Sequence, residues 1–183
     1  KVTNGRDIPA IRRPFLMYEI PEFSPPFTFR FLVSEPFAQE SVEQVERDML
    51  NNTCRAFKKM AFNTMYFNLK NHAGKQGSAI FLKTVVVLPE KKKVNLFPVC
   101  TDGIKMWLDG KLVLSHHQHN NFLPAPHRPG SPLAEVDMEK GEHDLLLEVM
   151  CCGGAPEFGW ITADEKNHLV TDIKYGWDKS QNG

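Results

Sequence analysis

Apolar and polar residues alternate with period two along much of this chain, the spacing of half-buried β-strands. Phe27-Thr-Phe-Arg-Phe-Leu-Val33 alternates in its first half, and Pro14 to Ile20 is a second β-rich run. The prolines of Pro21-Glu-Phe-Ser-Pro-Pro26 separate the two, because proline cannot donate to a ladder. Ala61 to Lys70 alternates through Phe62, Thr64, Tyr66 and Asn68. Ala79 to Leu88 is continuously apolar, as expected of a central strand covered on both faces. Val94 to Cys100, Leu133 to Met138 and His143 to Cys151 follow, and Leu145, Leu147 and Val149 share one face. Phe158 to Ala163 and Leu169 to Tyr175 form the expected last pair.

One segment breaks the pattern. Ser41 to Leu50 places Val42, Val45 and Met49 at helical spacing, and Ser41 with Gln44 fits a capping box. A short amphipathic helix is expected there. The adjoining Asn51-Asn-Thr53 sequon is a triplet common by chance.

The most informative stretch is Thr101 to Val113. Thr101-Asp-Gly103 reads as a turn. Ile104, Met106 and Leu108 fall on one face of the next strand, with Lys105 and Trp107 on the other, so one set is expected to face outward. Asp109-Gly110 is the strongest hairpin signal, since a type I′ turn needs positive φ at both central positions. Lys111 to Leu114 is the return strand. A long loop, Ser115 to Gly130, is rich in histidine, asparagine and proline.

Short strands joined by tight turns predict an all-β fold, an antiparallel β-sandwich of jelly-roll type with one short helical insertion. Residues 1–13 read as an irregular lead-in, 14–177 as a single β-sandwich domain and 178–183 as a tail. The sequence starts at Lys1 with neither an initiator methionine nor a signal peptide, and it reads as a mature secreted protein or an excised domain.

Composition narrows the function classes. Hydrophobic residues make up 42% of the 183 positions and charged residues 24%, enough to bury a core. Lysine plus arginine and aspartate plus glutamate stand at 22 each, which gives no global reason to expect nucleic acid or an anionic membrane as partner. No apolar run approaches the ~20 residues that cross a bilayer. Cys54, Cys100, Cys151 and Cys152 lack zinc-ligand spacing and read as small buried hydrophobes, with a vicinal disulfide as the alternative for the adjacent pair.

The segments Val99-Cys-Thr-Asp-Gly103, Trp107-Leu-Asp-Gly-Lys111, Met138 to Val149 and Phe158-Gly-Trp160 together resemble the galactose-binding-like β-sandwich accessory domains of bacterial glycoside hydrolases and other multidomain enzymes. Phe31-Leu-Val-Ser-Glu-Pro-Phe37 resembles their opening strand. These motifs are turn glycines and core leucines, so the resemblance implies fold and accessory status more firmly than sugar binding. Ser41 to Leu50 and the histidine-rich loop depart from the pattern.

No nucleophile elbow or phosphate loop occurs, and Ser115 beside histidines is not triad geometry. The leading expectation is a non-catalytic accessory domain without a cofactor, which binds glycan or packs on a neighbouring catalytic domain and is secreted or at the cell surface. Candidate ligand-binding residues are Trp107, His117, His119, Asn121, Phe122 and Arg128, an aromatic platform beside polar loop groups. Trp160 is expected in the core and Trp177 at one edge. The alternatives are a metal-binding protein or metal-dependent enzyme using His116, His117, His119 and His127, and a self-associating adhesion domain.

Overall fold

A computed structural model describes residues 28–51, 57–69, 77–117, 132–151, 157–166 and 168–179. It is an all-β sandwich of antiparallel sheets with one α-helix among the described residues. The strands are β1 (Phe29–Ser34), β2 (Phe37–Ala38), β3 (Phe57–Phe62), β4 (Tyr66–Asn68), β5 (Ser78–Leu88), β6 (Lys92–Cys100), β7 (Gly103–Leu108), β8 (Lys111–His117), β9 (Ala134–Met138), β10 (Gly141–Cys151), β11 (Glu157–Asp164) and β12 (Lys174–Gly176). Helix α1 (Val42–Leu50) follows a 3-10 turn at Gln39–Ser41.

The larger sheet runs β3-β1-β5-β10-β7-β8, and the smaller runs β4-β11-β6-β9. β5 is the spine of the larger sheet. One edge pairs with β10 along its whole length, from Gly141↔Leu88 to Cys151↔Ser78. The other edge takes β2 at Ala79, β1 at Leu82 and Lys83, and β12 at Val85 to Val87. The apolar run of β5 is explained by this position, because both its faces are covered. Ile80 and Leu82 enter the core between the sheets, while Ala79 and Phe81 turn the other way and pack under α1. Val42, Val45 and Met49 are the buried stripe of α1, at the spacing the sequence predicts.

Four local expectations are corrected. First, Ser41 does not cap the helix. The 3-10 turn holds it at φ −101°, ψ −7°, a helical conformation in which its hydroxyl donates to the Ala38 carbonyl. Gln44 bonds Asp48 and Arg47 instead of reaching back. Second, Ala61 to Lys70 is not one strand. Thr64 turns the chain, its hydroxyl bonding both the carbonyl and the amide of Tyr66, so β3 and β4 enter different sheets. Third, the last segment does not pair along β11. Asp164 accepts from the amides of Lys166 and His168 and turns the chain, leaving a single bridge at Ala163↔Leu169. β12 then crosses to β5. Fourth, Gly103 opens β7 rather than a turn: a Cβ there would lie 2.5 Å from the Met150 sulfur.

The Asp109-Gly110 hairpin forms as expected, with φ of +48° and +77°. Asp109 also fastens the hairpin tip to β10. Its carboxylate accepts from the Asp144 amide at 2.9 Å and meets His143 Nδ1 at 2.6 Å, and its amide donates to the Asp144 carbonyl at 2.8 Å. Burial opposes a charge on His143, but Asp109 and the Glu139 carbonyl outweigh it and hold its pKa above the usual value.

The two sheets are joined by a buried polar triangle. Trp160 Nε1 on β11 donates to Thr162 Oγ1 and Tyr175 OH, both at 3.1 Å, and the two hydroxyls lie 3.2 Å apart. Burial pushes the Tyr175 phenol up to about 12, against the smaller effects of Thr162 and Trp160. Removing one partner of a buried hydrogen bond costs about 1–3 kcal/mol. Tyr175→Phe is therefore expected to lower the unfolding free energy by about 1–2 kcal/mol, read from the denaturant midpoint at unchanged m-value. No loss of stability would show that the triangle contributes nothing.

Candidate functional site

The outer face of the larger sheet, beneath α1, carries a largely buried polar group of Glu46, Lys105 and Glu148. Antiparallel register builds it. Ser115, Lys105, Glu148 and Phe81 stand in one row across β8, β7, β10 and β5. The next row holds His117 opposite Gly103, and Met150 opposite Ala79. Because Gly103 has no side chain, the Met150 thioether closes over it. An open cavity of about 220 Å³ remains between these rows and the start of α1, bounded by Gly77, Ser78, Lys105, His117, Glu148 and Met150.

Glu148 is completely buried and no donor hydrogen-bonds to either carboxyl oxygen, while its acid form shares a hydrogen bond with Glu46. The Ser78 hydroxyl, 8% exposed at the other side of the cavity, has no hydrogen-bond partner. Lys105 Nζ stands 3.7 Å from Glu148 Oε2 and forms its close ion pair with Glu46 of α1. Burial, and then the neighbouring Glu46, push the Glu148 carboxyl up to about 8 despite the Lys105 charge. Burial also works against the charge of Glu46, but Glu148 and Lys105 outweigh it and its pKa falls. Lys105 is held above its usual value by Glu46 and Glu148 despite its own desolvation. At neutral pH Glu148 therefore keeps its proton, while Glu46 and Lys105 form the charged pair.

The expected site residues divide. His117 lies exposed on the rim of this cavity, its Nε2 3.0 Å from Ser115 Oγ, the same-face geometry of residues two apart on a strand. His116 faces the opposite way, and its Nε2 is buried without a partner. Burial, then the adjacent His117, lower its pKa. Trp107 is 5% exposed and packs with Phe81, Leu146 and α1, so both faces of β7 are covered and neither set faces solvent. Its indole borders a separate 210 Å³ recess next to Asp109 and Asp144. His119, Asn121, Phe122, His127 and Arg128 lie outside the described residues, as do Cys54, Cys152 and residues 52–53 of the sequon. Trp160 is in the core. Trp177 sits near β1 and β3 with Arg30 and Lys59 against its ring. Cys100 and Cys151 are buried, and burial pushes the Cys100 thiol up to about 12. Among the described residues, no three His, Cys, Asp or Glu side chains converge as a metal-binding set, and no helix is long and apolar enough to span a membrane.

Glu46, Ser78, Lys105 and Glu148 escaped the sequence reading. Alternation alone puts Lys105 and Glu148 in solvent. The available signal was the apolar stripe of α1, which needs a sheet face to cover.

This is an antiparallel β-sandwich domain with a helix-covered outer face. No protein-family model and no curated protein matches it. Among solved structures it is similar to an anti-sigma factor domain-containing protein from Clostridium clariflavum, at TM-score 0.50 and 12% identity, over 78% of this chain and 44% of that one. A beta-glucosidase from Kluyveromyces marxianus matches at TM-score 0.49 and 15% identity, over 74% of this chain and 16% of that one. The PA14 domain of the MpAFP antifreeze protein matches at TM-score 0.48 and 13% identity, over 88% and 98%. The first likeness is one of fold. This chain spans less than half the length of that protein.

Between pH 4.5, the ordinary value of a glutamate, and about 8, the folded chain binds the Glu148 proton more tightly than the unfolded chain does. Stability therefore falls as pH rises through that window, by at most about 1.4 kcal/mol per pH unit from this group. Replacing the carboxyl by an amide, Glu148→Gln, is expected to flatten that slope. Parallel slopes for the two proteins in denaturant titrations across the window would exclude a protonated Glu148.

Proposed function

We propose that this chain is a non-catalytic module of a larger protein and that it binds carbohydrate in the cavity beside α1. The observation that carries the reading is the pair of buried, unpartnered polar side chains, Ser78 and Glu148, on one cavity. Each such group costs about 1–3 kcal/mol while unsatisfied. A ligand that brings both donors and acceptors removes that cost, and a sugar ring carries both on adjacent carbons. Ala79, Val42 and Met150 supply apolar wall for its C–H face, and Lys105 and His117 supply polar atoms at the mouth. The reading extends to His119, Asn121, Phe122 and Arg128, which follow the rim strand β8 in sequence.

The alternative of docking on a neighbouring domain calls for a broad apolar face. Among the described residues, the large exposed apolar side chains are Leu50, Leu112 and Leu133. The polar cavity favours ligand binding over that alternative.

Calorimetry or affinity electrophoresis with mono- and oligosaccharides, neutral and amino, is expected to show saturable binding without release of cleaved products. Ser78→Ala removes the unpartnered hydroxyl without adding volume. It is expected to leave the melting temperature equal or higher and to weaken binding about 3- to 10-fold, the loss of one ordinary hydrogen bond. Silence across the whole panel would sink the proposal.

A further inference from the structure

Resting on the carbohydrate reading, we propose that the cavity selects an amino sugar with a free ammonium group, which forms its ion pair with Glu148. Three observations favour a cation over a neutral ring. The first is the orphaned carboxyl. Both oxygens of Glu148 lack a hydrogen-bond donor at zero exposure, and an ammonium brings three donors to them. The second is the charge around it. Helix α1 contributes Glu43, Glu46 and Arg47, β7 contributes Lys105, and β8 contributes His117 at the rim. β5 contributes Ser78 at the edge of the cavity, and Lys83, on the alternate face, stands further along the sheet beside Met49 and Trp107. Arg47 is engaged with Gln44 on the helix surface, and Lys105 is committed to Glu46. Glu148 therefore shares its nearest cation with Glu46, which holds it more closely. The third is that Lys105 stops 3.7 Å from Glu148, near enough to attract its charge but beyond hydrogen-bond reach. The chain's own cation does not complete the site.

The binding step has a defined proton balance. The ligand arrives as an ammonium and keeps its protons. Glu148 arrives as a carboxylic acid, and its O–H bond breaks as the ion pair forms. That proton passes to the buffer. Nothing is oxidised, and no covalent bond to the ligand forms. The neutral acid is the resting state because burial and Glu46 both disfavour a second negative charge there. An incoming cation removes that objection. An anionic uronic acid would bring a further negative charge beside Glu43 and the buried Glu148, which works against it.

Titration calorimetry tests this on the intact chain, slightly below neutral pH, in two buffers of different ionisation enthalpy. Glucosamine is expected to bind with release of about one proton and at least about tenfold tighter than glucose or N-acetylglucosamine, a difference of about 1.4 kcal/mol. Glu148→Gln is expected to abolish the proton release and level the three affinities. The wild-type proton count keeps the test decisive even if that variant folds poorly. Glucose binding as tightly as glucosamine, or glucosamine binding without proton release, would overturn the ammonium inference and leave the carbohydrate reading standing. Methylamine binding as tightly as glucosamine would overturn the choice of a sugar as the ammonium's carrier. No binding by any sugar would overturn both proposals together.

Discussion

The pairing of β5 with β10, eleven residues long, fixes both sides of the molecule at once. Every odd position of β10 from Leu145 to Cys151 enters the core between the sheets. Every even position from Leu146 to Met150 is turned to the outer face. A shift of one residue would exchange the two sets, bringing Glu148 into the aliphatic core and Leu147 under the helix. β7 repeats the division, with Ile104, Met106 and Leu108 inside and Lys105 and Trp107 outside. The outer cluster of Trp107, Phe81, Leu146 and Ala79 then needs its own cover, and the stripe of α1 supplies it. The chemistry beneath α1 is a consequence of that second burial. Glu148 and Lys105 occupy positions that alternation assigns to solvent, and the helix encloses them.

That arrangement explains why the polar groups under α1 behave unlike surface charges. An exposed lysine–glutamate pair contributes little, because water already solvates both partners. Here Glu148 has lost water without gaining a hydrogen-bond donor, and it shares its nearest cation, Lys105, with Glu46. A buried acid in that position retains its proton rather than its charge. The site is therefore uncharged where it is deepest and charged at its helix side. The cavity beside it is small, open and partly apolar.

Much of the strand pattern was legible in the residues. The continuous run of β5, the alternation of β9 and β10, the Asp109-Gly110 hairpin and the apolar stripe of α1 each follow from local chemistry. The failures come from side-chain turns and from non-local contacts. Thr64 splits one alternating run because its hydroxyl closes a turn, which composition does not distinguish from a strand threonine. β12 leaves β11 because Asp164 captures two amides and turns the chain, and Lys174 to Gly176 then pair with β5 in the other sheet. Gly103 is required by the sulfur of Met150, 47 positions away. The site was missed for the same reason. Trp107 and His117 drew notice as residue types, but the groups that define the cavity are a lysine and glutamates that look solvated until the helix is placed over them. His117 lies at the rim of the cavity at the end of β8, and Trp107 is part of the floor under α1.

The protonation state of Glu148 is the point on which the covered outer face, the stability profile and the binding chemistry all turn. Carboxyl-carbon NMR with glutamate labelling, the Glu148 signal assigned by Glu148→Gln, reads it directly. If the side chain is buried beside Glu46 as described, its carbon titrates well above the ordinary glutamate range and still reports the acid at neutral pH. A Glu148 carbon that reports a carboxylate at neutral pH and titrates near 4.5 would contradict the burial, and with it the site.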